Sequence, residues 1–101
     1  MDFQVIYKPL AQLEVAEAFQ WYGQPHIAMG DDFLDELERT DGFLARNPYL
    51  YPCVELEIRR ANLTRFPYAL FYAIDGDTVN VLSCFYQHRD PLSRTALLGL
   101  I

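Results

Sequence analysis

The sequence predicts an α+β fold: an N-terminal strand, an antiparallel helical hairpin packed on a small, mostly antiparallel sheet, and a short C-terminal helix. Three observations carry this. In the first half, apolar residues recur at three- and four-residue spacing between acidic ones. In the second half, runs rich in β-branched and aromatic residues flank an Asp75-Gly76-Asp77 turn. The charge divides at the same place. Residues 1–50 set Lys8, Arg39 and Arg46 against Asp2, Glu14, Glu17, Asp31, Asp32, Asp35, Glu36, Glu38 and Asp41. In residues 51–101, Arg59, Arg60, Arg65, Arg89 and Arg94 balance Glu55, Glu57, Asp75, Asp77 and Asp90, so the net charge of −6 comes from the first half alone.

With 101 residues the chain reads as one domain spanning 1–101, and a domain of this size buries roughly 60 to 68% of its unfolded surface. No apolar run approaches the ~20 residues that cross a bilayer, and no basic-then-apolar leader opens the chain. A soluble, cytoplasmic protein without a membrane partner is expected. Cys53 and Cys84 have neither Cys-x-x-Cys spacing nor clustered histidines, so neither a metal nor a disulfide framework is expected. Both read as small apolar groups, buried or half-buried. No glycine-rich phosphate loop, internal repeat or cofactor motif is found, and the acidic balance argues against generic nucleic-acid binding.

In chain order, Phe3-Gln4-Val5-Ile6-Tyr7 has strand composition and is ended by Lys8-Pro9. A helix follows from about Leu10, its inner stripe formed by Val15, Ala18, Phe19 and Tyr22 and widened by Leu13 and Trp21; Gly23-Gln24-Pro25 closes it. A second helix is expected from His26 or Ile27. It turns Ile27, Phe33 or Leu34, Leu37 and Leu44 inward and Asp31, Asp32, Asp35, Glu36 and Glu38 outward, with Gly30 letting the helices approach closely. The prolines make residues 47–52 a loop and the hinge between the helical and sheet halves. Residues 58–63 and 69–74 read as strands joined by the corner Arg65-Phe66-Pro67-Tyr68, where Pro67 marks a strand start or edge. After the turn, a strand from Thr78 places Val79, Val81, Ser83 and Phe85 on one face and Asn80, Leu82, Cys84 and Tyr86 on the other. Asp90-Pro91 then opens a short tail helix whose Leu97, Leu98, Leu100 and Ile101 need covering by this chain or another.

Trp21-Tyr22, Phe33-Leu34-x-x-Leu37, Asn47-Pro48, Arg59-Arg60, Arg65-Phe66-Pro67-Tyr68-x-x-x-Tyr72 and Arg89-Asp90-Pro91 occur in that order. Together they resemble the RelE/ParE superfamily of bacterial toxins, more closely the ParE-like branch often labelled plasmid stabilisation proteins, from about Phe3 to Arg94. The resemblance implies the toxin of a type II toxin–antitoxin system, neutralised by a cognate antitoxin, with assembly as a homodimer or as a hetero-oligomer with that antitoxin. RelE-like members cleave mRNA on the ribosome and ParE-like members act on DNA gyrase. It also implies target binding through Arg59, Arg60, Arg65, Tyr68 and Arg89. Two departures weigh against cleavage: where the ParE-like pattern often reads His-x-Arg-Arg-Asp-Pro, this chain has Tyr86-Gln87-His88-Arg89-Asp90-Pro91, and the basic lysines common in the RNA-cleaving branch are absent.

RNA cleavage needs a base for the 2′-hydroxyl, an acid for the leaving oxygen and cations for the developing phosphate charge. Arg65, Tyr86, His88 and Arg89 are the candidate catalytic residues for that chemistry. The plainer reading of the arginines is pairing with Glu55, Glu57 and Asp90, worth ~0–1 kcal/mol per surface pair. For Trp21, Tyr22, Phe66, Tyr68 and Tyr72 it is core and corner packing. The expected function is therefore a non-enzymatic, ParE-like toxin that binds its target. The alternatives are a ribosome-dependent mRNA endoribonuclease and a degenerate, non-toxic relative that keeps only the interaction surface.

Overall fold

The computed structural model describes residues 2–88 and Gly99. The chain runs β1 (Gln4–Tyr7), α1 (Pro9–Tyr22), α2 (Gly30–Arg46), β2 (Cys53–Glu55), β3 (Ile58–Asn62), β4 (Tyr68–Asp75) and β5 (Thr78–Tyr86). The strands form one sheet in the order β1-β5-β4-β3-β2. The pairing of β1 with β5 is parallel and every other pairing antiparallel. The expected tail helix and Arg89 lie outside the described residues.

Both helices cover one face of the sheet. Ala11 and Ala18 from α1 and Phe33, Leu37 and Leu44 from α2 share a core with Leu70, Tyr72, Val79, Val81 and Cys84. Burying side chains of the larger kind contributes roughly 1.5–3 kcal/mol each. Ala69, Phe71 and Ala73 alternate with the core residues of β4 and so face the other way, forming a second buried cluster with Ile58, Leu82 and Phe85. The inner stripe of α1 is narrower than the spacing suggests: Leu13, Phe19 and Trp21 are 57, 40 and 57% exposed. Two alanines face the sheet, which brings the helix backbone close and leaves the larger residues at other angles outside.

Pro9 opens α1 after the extended Lys8, as expected. The second helix starts at Gly30 rather than at His26 or Ile27. Residues 24–29 instead make tight turns: Ile27 and Ala28 donate their N–H groups to Gln24 O, and Met29 N–H returns to Tyr22 O. Ala28 has φ 53°, a left-handed conformation that no α-helix can pass through. The expected role of Gly30 holds, since a Cβ there would lie 3.1 Å from Phe19 Cε1 and 3.3 Å from Gly23 Cα. Phe33 points inward and Leu34 is exposed.

Four further expectations are corrected. Glu36, assigned to the outer face of its helix, is buried at 3% exposure. Cys53, expected buried or half-buried, is exposed and opens the short edge strand β2, which lay unrecognised before the sheet. Strict alternation fails in β5 because Phe71 pairs with Ser83 while Tyr72 pairs with Val81, leaving Leu82 as an extra residue. This bulge puts Val79, Val81 and Cys84 on the helix side and Leu82 and Phe85 on the other. Residues 47–52 form a loop but not a hinge, since Tyr72 Oη–H, fully buried, donates to Pro48 O at 2.6 Å.

Glu36 ties α2 to the corner between β3 and β4. Its Oε1 accepts Thr64 N–H at 3.1 Å, Thr64 Oγ–H at 2.6 Å and Arg65 N–H at 2.9 Å. Its Oε2 pairs with Arg39, whose guanidinium also donates to Thr64 Oγ. Burial alone would favour the neutral acid, but the hydrogen bonds from Thr64, Arg39 and the Arg65 N–H outweigh it and hold the carboxyl down at about 2, against an ordinary 4.5. A folded value below the unfolded one means that the stability Glu36 contributes is fully present above about pH 4.5 and is lost as pH falls towards 2. Glu36→Gln is expected to lower stability near neutrality by on the order of 2–4 kcal/mol and to flatten the acid limb of stability between pH 4.5 and 2. Urea denaturation across that range checks it: an acid limb as steep in the variant as in the parent contradicts the assignment.

Candidate functional site

One end of the sheet gathers most of the residues singled out from the sequence. There β3 has ended, β4 begins at Tyr68 and β5 ends at Tyr86, its register partner. The corner is closed by Gln87, whose N–H donates to Pro67 O at 2.7 Å and whose Nε2–H donates to Tyr68 O at 2.9 Å. Arg65 is exposed on this corner, its backbone fixed by Glu36. The rings of Tyr68 and Tyr86 lie 5.3 Å apart, and His88, in the turn beyond the strand, sets its ring 5.3 Å from Tyr86. Phe66 and Phe33 support the corner from below, with Tyr22 stacked on Phe33 at 5.4 Å and edge-on to Phe66 at 4.9 Å.

Between this end and α1 lies a cleft of about 340 Å³, lined by Glu14, Glu17, Trp21, Tyr22, Tyr68 and Tyr86 with Ala18 and Cys84 at its base. Its wall follows from the strand lengths. Because β1 stops at Tyr7, opposite Val81, no strand among the described residues continues on that side of β5 beyond that point. Glu14 takes the place of the missing neighbour, its Oε1 accepting Ser83 Oγ–H at 2.7 Å and Cys84 N–H at 3.0 Å. Burial, reinforced by the Glu14 carboxylate, pushes the Cys84 thiol up to about 12, so it is no nucleophile at neutral pH. Burial and the neighbouring Tyr86 raise the Tyr22 hydroxyl as well.

The expected arginines do not form one rim. Arg59 and Arg60 are consecutive on β3 and project from opposite faces. Arg59 Nη1–H donates to Tyr51 O at 2.5 Å and Tyr49 O at 3.2 Å, with its guanidinium 5.2 Å from the Tyr49 ring. Arg60 lies over the Phe71 ring at 5.5 Å and donates to Asn62 Oδ1 at 2.8 Å. Phe71, the register partner of Arg60, is three residues along β4 from Tyr68, about 10 Å away. Arg65, Tyr68, Tyr86 and His88 thus share the sheet end, whereas Arg59 and Arg60 do not, and Arg89 is outside the described residues.

Sequence reasoning missed Glu14, Glu17 and Trp21 as lining residues. A signal existed for the first: Glu14 sits three residues after Ala11 and four before Ala18, the two buried positions of α1. Trp21 was read as packing, but over half of its surface is open. Among the described residues the cleft lining contains two carboxylates and no lysine or arginine. Nor, among the described residues, is any group of three or more His, Cys, Asp or Glu side chains placed to hold a metal ion. No described helix is long and apolar enough to cross a membrane.

No family model and no curated protein matches the sequence. Among solved structures, the chain is similar to one of the "Chromosomal ParDE TA system from P. aeruginosa", with a TM-score of 0.71 at 11% identity, covering 83% of this chain and 95% of that one. The likeness is one of fold. It matches the ParE/RelE-like α+β arrangement expected from the sequence.

Arg59 has an internal duty that can be separated from any contact with a target. Arg59→Ala removes two hydrogen bonds to the 47–52 loop, at a cost of roughly 1–2 kcal/mol. The variant is expected to exchange loop amides faster than the parent while α1 and α2 keep their protection. Unchanged exchange at Leu50 and its neighbours would show that Arg59 does not pin the loop.

Proposed function

We propose that this chain is the toxin of a type II toxin–antitoxin pair, of the ParE-like branch. It acts by binding a target such as DNA gyrase and is neutralised by a cognate antitoxin. The reading is carried by the fold shared with a chain of a ParDE system, together with the ordered motif set from Trp21-Tyr22 to Arg89-Asp90-Pro91. In this reading an antitoxin strand adds at β2, the sheet edge, beside which Tyr49, Leu50, Val54 and Leu56 are 62, 73, 45 and 68% exposed. Large apolar side chains beside an open edge suit strand addition, in which backbone bonds supply affinity and side-chain contacts supply specificity.

The second reading, a ribosome-dependent mRNA endoribonuclease, is favoured by one observation: the Tyr86–His88 ring contact at the end that also carries Arg65. Induction of the chain in a bacterium separates the two. The toxin reading predicts growth arrest, relieved by co-expression of the neighbouring open reading frame, whose product co-purifies. DNA damage signalling without transcript cleavage marks the ParE-like mode. Transcript cleavage abolished by His88→Ala would establish the nuclease instead. Unimpaired growth with no co-purifying partner would leave the chain as a non-toxic relative and overturn the proposal.

A further inference from the structure

Where the two helices meet the end of β1, a separate cavity of about 360 Å³ opens to the surface. Leu34, Leu37, Glu38 and Asp41 follow one another on α2 at spacings of three, one and three residues, and Gln12 and Val15 lie three apart on α1, so each helix turns one face to it. Tyr7, the last residue of β1, completes the lining. Its apolar wall is Leu37, which is buried, Val15, which is half-buried, and Leu34, which is 40% exposed. Apolar walls with a few fixed polar groups, in a volume of about 300–1,000 Å³, are the usual make-up of a small-molecule site.

The polar groups of this lining decide what kind of molecule fits. Its neutral donors are engaged: Tyr7 Oη–H donates to Asp41 Oδ1 at 2.6 Å, and Gln12 Nε2–H donates to Tyr7 O at 2.7 Å. The Tyr7 hydroxyl is the one hydrogen-bond partner of Asp41 among the described residues, which leaves the second carboxylate oxygen as an acceptor. Burial raises the Asp41 carboxyl above its ordinary value, the Tyr7 bond opposes that rise, and the Glu38 charge adds to it. A carboxylate held at that disadvantage gains from a cation, and a charged N–H donor can meet its second oxygen without displacing Tyr7.

We infer that this cavity binds a small amphiphilic amine, an ammonium or guanidinium group carried on a compact apolar body. The cation sits against Asp41 with Glu38 beside it, and the apolar body lies on Val15, Leu34 and Leu37. The class follows from charge and from the donor accounting. An anion would face two carboxylates, and a wholly apolar ligand would strip water from Asp41 and give nothing back. The cavity shares no lining residue with the cleft at the sheet end, and the inference stands whether or not the chain is a toxin.

Phenethylamine and 2-phenylethanol test it, since they share a ring and spacer and differ in the charged donor. Titration of the isotope-labelled full chain, followed by NMR, is expected to shift the Leu34, Leu37 and Asp41 amides saturably with the amine. The alcohol is expected to bind roughly fivefold more weakly. Asp41→Asn keeps an acceptor for the Tyr7 hydroxyl and is expected to abolish that preference with the rest of the spectrum retained. Glu38→Gln, at an exposed position, is expected to weaken the amine and leave the alcohol unchanged. Asp35→Asn neutralises an exposed carboxylate of α2 outside the lining and is expected to leave the preference intact. Equal affinity for the two probes, no saturable shift with either, or amine binding untouched by both Asp41→Asn and Glu38→Gln overturns the inference. So does a preference lost equally in Asp35→Asn, which would assign it to the negative charge of the chain at large.

Discussion

A buried carboxylate, Glu36, joins the two halves of this molecule. Helix α2 reaches the sheet side through its backbone at its last turn, where Ala45 O accepts Phe3 N–H at 2.7 Å, and apolar packing alone leaves the rest of a helix free to slide on its neighbour by small amounts. Glu36 removes that freedom by accepting the N–H groups of Thr64 and Arg65, which lie outside any strand and have no ladder partner. Burying a charge is costly, so the contact stabilises only because its donors are all in place: two backbone amides, a hydroxyl and the Arg39 guanidinium. Glu14 does the equivalent for α1, taking the Cys84 N–H that the short β1 leaves uncovered. Asp41 of α2 adds a third such tie, accepting the Tyr7 hydroxyl of β1 at 2.6 Å, while Glu36 and Glu14 fix the sheet end against which the cleft is formed.

That division of labour explains where the arginines went. A strand alternates its faces, so the Arg59-Arg60 pair cannot serve one surface. One guanidinium closes over the 47–52 loop and the other covers Phe71 on the opposite side. Both therefore contribute by packing their stems and donating locally, as arginine often does at the margins of aromatic clusters. Among the described residues the sheet end keeps Arg65 beside an aromatic row, and across from it lies the helix face that carries Glu14 and Glu17.

Much of the fold was legible. The helical spacing around Ala18, Phe33, Leu37 and Leu44, the Pro9 helix start, the Gly76 turn at φ 60° and the Pro67 strand entry each express a local rule and appear as read. What was not legible depends on partners distant in sequence. Glu36 reads as a solvent-facing acid because periodicity knows nothing of amides 28 and 29 residues away. The β5 bulge is set by its partner strand, and the strand β2 is too short to carry a pattern of its own. The candidate site suffered most. Its aromatic residues were noticed, but the cleft is made by the meeting of a helix edge with a strand end, and nothing in the spacing of Glu17, Trp21 and Tyr86 announces that meeting.

The central claim is that polar ties from buried helix carboxylates, beyond apolar contact, seat the sheet on the helical pair. Hydrogen exchange of the Thr64 and Arg65 amides, followed residue by residue by NMR, tests it most directly, because neither amide belongs to a strand. The account predicts that both are protected to nearly the level of the β4 amides. Exchange as fast as that of the exposed Asp77 turn would mean that the ties are not made and would contradict it.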